Sequence, residues 1–139
     1  MEKELFDKLF TAASKARENS YSPISHFKVG AAFITKEGNI YAGTNIEEAA
    51  FNSCTHAEQA AIAQMVSKEG RKEITQLVVV AGNDGDGTIA APCGHCRQIL
   101  LEFAQDGLEI ISAGPKGDIR LETTLGELMP YAFRLGNFM

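Results

Sequence analysis

The chain of 139 residues has no tryptophan, only three histidines, four prolines and three cysteines. Three thiols cannot all pair, and so few of them cannot staple a small domain, so a disulfide scaffold is excluded and the cysteines are read as reduced. Scarce proline, together with 45% hydrophobic residues, excludes collagen-like and disordered chains. Positive charge is also in deficit: 13 Lys and Arg face 18 Asp and Glu, a formal net charge of −5. That argues against a nucleic-acid surface, which would want clustered Lys and Arg. The longest apolar runs reach about half of the roughly 18–20 residues a membrane span needs, so no membrane partner is expected. Met1-Glu2-Lys3-Glu4 is charged and opens an amphipathic pattern instead of an apolar export segment, so a cytoplasmic location is expected.

The length fits one domain spanning 1–139. A chain of this size buries about two-thirds of the surface that it exposes when unfolded, enough for a core without disulfides. Leu5, Phe6, Leu9, Phe10, Ala13 and Ala16 recur at helical spacing within 3–18, and Asn19-Ser20-Tyr21-Ser22-Pro23 breaks the pattern. Val29 to Ile34 and Ile40 to Asn45 flank a Gly/Asn turn and predict a hairpin. The Ala-rich stretch from His56 to Ser67 predicts a helix, and apolar residues on most of its faces predict that it is buried. Leu77-Val78-Val79-Val80-Ala81 predicts a central strand covered on both faces. A further helix opens near Cys93 and runs to Phe103, strands follow at Leu108 to Ser112 and Ile119 to Thr123, and a short helix from Leu125 stops at Pro130. A hairpin followed by helix–strand alternation predicts one mixed sheet with helices on both faces, an α/β fold.

Two segments carry chemistry: His56-Ala57-Glu58 and Pro92-Cys93-Gly94-His95-Cys96, each opening a predicted helix. In this order they match the H-x-E and P-C-x-x-C signature of zinc-dependent deaminases. Zinc takes imidazole nitrogen and thiolate sulfur, and a catalytic site keeps its fourth position for water, so His56, Cys93 and Cys96 suffice. Cys93 and Cys96, at i and i+3, face one side of a first helical turn. Helix starts also favour thiolates through the dipole. Glu58 lies roughly 200° round a regular helix from His56, which suits a different task, moving protons. A structural zinc site would need a fourth protein ligand, with His95 or Cys54 as the candidates. Asp84 and Asp86 lack the closing ligand of a calcium loop, and the nearby glycines do not form a dinucleotide-binding loop.

From about Tyr21 to Phe133 the chain resembles the short, homotetrameric type of cytidine deaminase. The resemblance is carried by Tyr21-Ser22-Pro23, Phe27-Lys28-Val29-Gly30-Ala31-Ala32, Gly43-Thr44-Asn45-Ile46-Glu47, His56-Ala57-Glu58, Pro92-Cys93-Gly94-His95-Cys96-Arg97-Gln98 and Leu128-Met129-Pro130-Tyr131-Ala132-Phe133. It implies a three-layer α/β/α fold on a five-stranded mixed sheet. It implies one Zn²⁺ per subunit on His56, Cys93 and Cys96, with Glu58 as the proton shuttle. Phe27 would pack on the pyrimidine, Ala57 would contact the substrate, and Asn45 and Glu47 would bind the ribose hydroxyls. Phe133 would close a neighbouring subunit's pocket in a homotetramer. The implied reaction is hydrolysis of cytidine and 2′-deoxycytidine to the uridines and ammonia, as in pyrimidine salvage. Rival readings are a deaminase of a modified nucleoside such as blasticidin S, and a silent zinc-binding scaffold, which would have no need of Glu58.

The chain departs from that family where most short members carry Cys-Ala-Glu-Arg and this one has His56-Ala57-Glu58-Gln59. Three thiolates on Zn²⁺ leave a net negative charge that an arginine offsets, whereas one imidazole and two thiolates leave none, so a neutral Gln59 suffices. Glu48 and Phe51 replace residues commonly Asn and Tyr. Cys54 is read as a small, half-buried spare thiol, and His26 as a loop residue.

Overall fold

A strand that is apolar without interruption needs cover on both sides, and the 77–81 run finds it at the centre of the sheet. In the computed structural model, which describes residues 1–138, this run is the end of β3 (Ile74–Ala81). The other strands are β1 (Val29–Thr35), β2 (Ile40–Thr44), β4 (Glu109–Ala113) and β5 (Ile119–Thr124). Their order across the sheet is β2-β1-β3-β4-β5. β3 and β4 are parallel and every other pair is antiparallel, so the sheet is mixed as expected.

Side chains alternate across this sheet and sort into two cores. Ala32, Val78, Val80 and Ile111 meet Leu9 and Ala13 of α1 (Lys3–Glu18) on one face. Ala31, Phe33, Leu77, Val79 and Ile110 meet Ala61, Ile62 and Met65 of α2 (Ala57–Glu69) and Leu100 of α3 (Gly94–Leu100) on the other. A short α4 (Leu125–Leu128) and a 3₁₀ turn (Leu135–Phe138) follow. The result is the expected three-layer α/β/α arrangement, in which α1 covers one face and α2 and α3 the other.

Two expectations need correction. The Ala-rich helix α2 is not buried all round: Ala63 and Val66 are exposed, because α2 lies in an outer layer and presents one face to the sheet. The helix opening near Cys93 ends at Leu100 instead of Phe103, where bonds from Glu102 to Ile99 and from Phe103 to Leu100 tighten the chain into i→i+3 turns. No helix among the described residues is long and apolar enough to cross a membrane.

Two contacts place the chemistry-bearing segments. Gly43 of β2 lies under the first turn of α2, where a Cβ would sit 2.7 Å from the Ala57 carbonyl oxygen and 2.5 Å from the Ala61 nitrogen. Only glycine permits that approach, which presses the start of α2 onto the sheet. Arg120 of β5, its side chain 5% exposed, donates to Asp118, Asp86 and the carbonyls of Thr88 and Asn83 at 2.7–2.9 Å. It pins the loop that leaves β3 and runs on to Ala90, Ala91 and Cys93.

Candidate active site

His56 and Cys93 occupy equivalent places, each the residue that precedes a helix. Both have extended backbone, φ −86°, ψ 155° for His56 and φ −68°, ψ 172° for Cys93. Because His56 stands outside the helical repeat, the angular separation expected between it and Glu58 does not apply, and both line one cavity. Cys96, fully buried in the first turn of α3, turns its sulfur to the same point. His56 Nδ1 lies 3.2 Å from Cys93 Sγ and 3.3 Å from Cys96 Sγ, and the three ligand atoms fall within 4.8 Å of one another.

The donor set fits zinc. Bond lengths of about 2.0–2.1 Å to nitrogen and 2.3 Å to sulfur put neighbouring ligands of a tetrahedral ion roughly 3.5 Å apart. Three protein ligands leave a fourth position for solvent or substrate, as in catalytic zinc sites. Neither proposed fourth ligand belongs to this group among the described residues. His95 is exposed and its Nε2 meets the Gln59 side chain at 2.6 Å. Cys54 is half-buried, as expected, but it also borders the cavity, with its sulfur 3.9 Å from the Glu48 carbonyl oxygen.

The electrostatics suit a cation. Burial, and then His95, lower the pKa of His56, which favours the neutral imidazole that binds metal. Burial pushes the Cys96 thiol well up, helped by Glu58 and Cys93, so a cation is what would draw out its proton. Glu58 is 5% exposed in the first turn of α2. Burial raises its carboxyl pKa, while hydrogen bonds from its own backbone and from Cys96 oppose that rise. A buried carboxyl that holds a proton more readily is equipped to pass one on.

The cavity has a volume of about 440 Å³, and its wall includes Phe27, Asn45, Glu47, His56, Ala57, Glu58 and Cys93. Thus all but two of the expected site residues converge there. Cys96 sits behind the wall, and Phe133 lies outside it, 58% exposed, with its carbonyl held by Gln98 at 2.9 Å. Asn45 and Glu47 already brace the entry loop. The Asn45 side chain accepts from the Val29 amide at 3.0 Å and the Ser20 hydroxyl at 2.6 Å, and donates to the Phe27 carbonyl at 2.8 Å. Glu47 accepts from the Ile24 and Ser25 amides at 2.9 and 3.0 Å and from the Ser25 hydroxyl. These bonds, that of the Ser25 hydroxyl foremost, hold its carboxyl below the usual carboxylate range.

Sequence reasoning passed over Ala90 and Ala91, which form part of the wall. Their only signal was position, just ahead of Pro92-Cys93. It also passed over Ser25 and the Gln59–His95 contact, which join segments distant in the chain and have no spacing to betray them.

A model of the cytidine and deoxycytidylate deaminase zinc-binding region matches residues 3–110. A cytidine deaminase of Sporosarcina psychrophila is 41% identical over 127 residues, which cover 91% of this chain and 90% of that protein. One from Halalkalibacterium halodurans is 38% identical over 125 residues, 90% of this chain and 91% of that protein. The crystal structure of a cytidine deaminase from Burkholderia pseudomallei superposes with a TM-score of 0.82 at 36% identity, covering 96% of this chain and all of that one.

Proposed function

Because the chain belongs to the zinc-binding cytidine and deoxycytidylate deaminase family, we propose that it hydrolyses cytidine and 2′-deoxycytidine to the corresponding uridine and ammonia, a step of pyrimidine salvage in the cytoplasm. One observation carries the reading: a three-ligand nitrogen–sulfur site and a buried carboxyl meet at the wall of one nucleoside-sized cavity.

His56, Cys93 and Cys96 hold one Zn²⁺, which when bound supplies a water acidified to a pKa of about 7 and an electrostatic sink for developing charge. Glu58 takes one proton from the attacking water and delivers it to N3 of the cytosine, then takes the second from the hydroxyl formed on C4 and passes it to the departing amine. Water adds at C4, the C4–N4 bond breaks, and the proton count closes on uridine and ammonia. Phe27 packs on the pyrimidine and Ala57 faces it from the start of α2. Asn45 and Glu47 bind the sugar. Asn45 commits one of its two amide N–H groups to Phe27, and a carboxylate has about four acceptor positions, of which Glu47 uses three. Groups left unpaired by a ligand lacking those hydroxyls discriminate strongly against it.

The exposed Phe133, outside its own cavity, supports a homotetramer in which it closes a neighbour's pocket. Sedimentation of the wild type and of Phe133→Ala tests this, and a monomeric, fully active wild type would contradict it. The reaction itself is tested by following the ultraviolet change on cytidine conversion with and without chelator. Turnover should depend on zinc and collapse in Glu58→Gln, and full activity in that variant would refute the role of Glu58.

A further inference from the structure

The metal ligands come from the starts of two helices, and the Gln59 side chain, outside the ligand set, touches both. Gln59, in the first turn of α2, has Oε1 2.9 Å from the His56 backbone nitrogen and Nε2 2.6 Å from His95 Nε2. A backbone N–H can only donate, so the amide must turn its oxygen to His56 and its NH₂ to His95. His95 Nε2 is therefore the acceptor, and the ring proton sits on Nδ1. His95 stands between Cys93 and Cys96, and its ring centroid is 5.6 Å from that of His56, tilted by 58°.

We propose that Gln59 and His95 form a strut between the starts of α2 and α3 that sets the separation of His56 from the two cysteines, making both positioning residues of the metal site. The inference rests on the zinc reading above and adds to it a reason for Gln59 apart from charge. An arginine at 59 has donors only and could not receive the His56 N–H, nor could a lysine. A glutamate could receive it but would have no N–H for His95. Glutamine alone of these serves both ends without adding charge. Outer partners of this kind hold ligands in register, and their loss commonly weakens metal binding about 10–100-fold.

The test uses the whole protein, with zinc affinity read by chelator competition and ligand geometry read from the visible d–d band of the Co²⁺-substituted protein. Gln59→Ala should weaken zinc binding about 10–100-fold and shift the Co²⁺ band. His95→Ala, on an exposed residue whose loss leaves the fold intact, should weaken binding about tenfold. The double variant should bind no more weakly than Gln59→Ala, because one strut cannot be broken twice. Wild-type affinity and an unshifted band in both single variants, or additive losses in the double, would overturn the strut alone. A wild type that binds no zinc would overturn the strut and the metal site together.

Discussion

The two walls of the cavity are built by different means. One is borne on helices: His56 and Glu58 at the start of α2, Cys93 and Cys96 at the start of α3, both seated on the sheet by buried apolar side chains. The other is borne on loops: Phe27, Asn45 and Glu47 are held by hydrogen bonds between the 20–29 and 45–47 segments, with Tyr21 and Ile46 bridging the two loops. A metal tolerates little error in ligand position, so its ligands stand on elements whose backbone is already fixed. A sugar tolerates more, so on the proposed reading the polar groups that would bind it can double as the scaffold of their own wall. Under the proposed function, the difference teaches that one side chain, Glu47 for example, would be a structural and a binding residue at once, while Glu58 would be committed to chemistry.

That contrast can be broken by mutation, with the largest effect on the helical wall. Glu58→Gln removes the proton carrier without changing shape, and kcat should fall about 10²–10⁴-fold while zinc content, read by elemental analysis, stays at the wild-type level. An unchanged kcat would move the proton transfer elsewhere. On the loop wall Glu47→Ala should act on both binding and order. KM should rise roughly 10–100-fold, the cost of a hydrogen bond to a charged group, and proteolysis should speed up within the 20–29 loop. A rise in KM with no change in proteolysis would separate the two roles assigned to Glu47.

A smaller effect tests the charge balance of the helical wall. His56→Cys adds a thiolate with no counter-charge and should lower the deamination rate about tenfold. Adding Gln59→Arg should recover part of that loss, though not all of it if the strut is real, since arginine cannot accept the His56-position amide. Absence of any recovery would refute the charge argument.

The smallest effect concerns the loop behind the metal site and depends on pH. Backbone bonds from Thr88 and Asn83, with Arg120 nearby, lower the Asp86 pKa from 3.8 to about 2. A carboxyl depressed on folding contributes stability above its unfolded value, and the contribution is lost as pH falls through the folded value. The melting temperature of the wild type should therefore drop between about pH 4 and pH 2, and the Asp86→Asn profile should be flatter in that window. Parallel profiles would mean that Asp86 does not hold the loop.

The same two walls explain what could be read from the chain in advance. Short-range chemistry was legible: H-x-E and P-C-x-x-C are fixed spacings, and they brought His56, Glu58 and Cys93 to the cavity wall with Cys96 just behind it. The alternation and the apolar run at 77–81 were enough for the strands and for a mixed sheet. The loop wall was legible only through family resemblance, because Asn45 and Glu47 in isolation read as a strand end and a solvated turn. Contacts between distant segments, Ser25 with Glu47 or Gln59 with His95, leave no periodic trace in the sequence. The exposed outer face of α2 was misjudged for a related reason: alanine fits buried and exposed positions alike, so composition could not say which face the sheet would cover.

The most direct measurement titrates Zn²⁺ into metal-free protein while following cytidine conversion on the same preparation. No turnover is expected without metal, and the rate should rise linearly to one Zn²⁺ per chain and then stop. A protein that carries one Zn²⁺ per chain and leaves cytidine unchanged would contradict it.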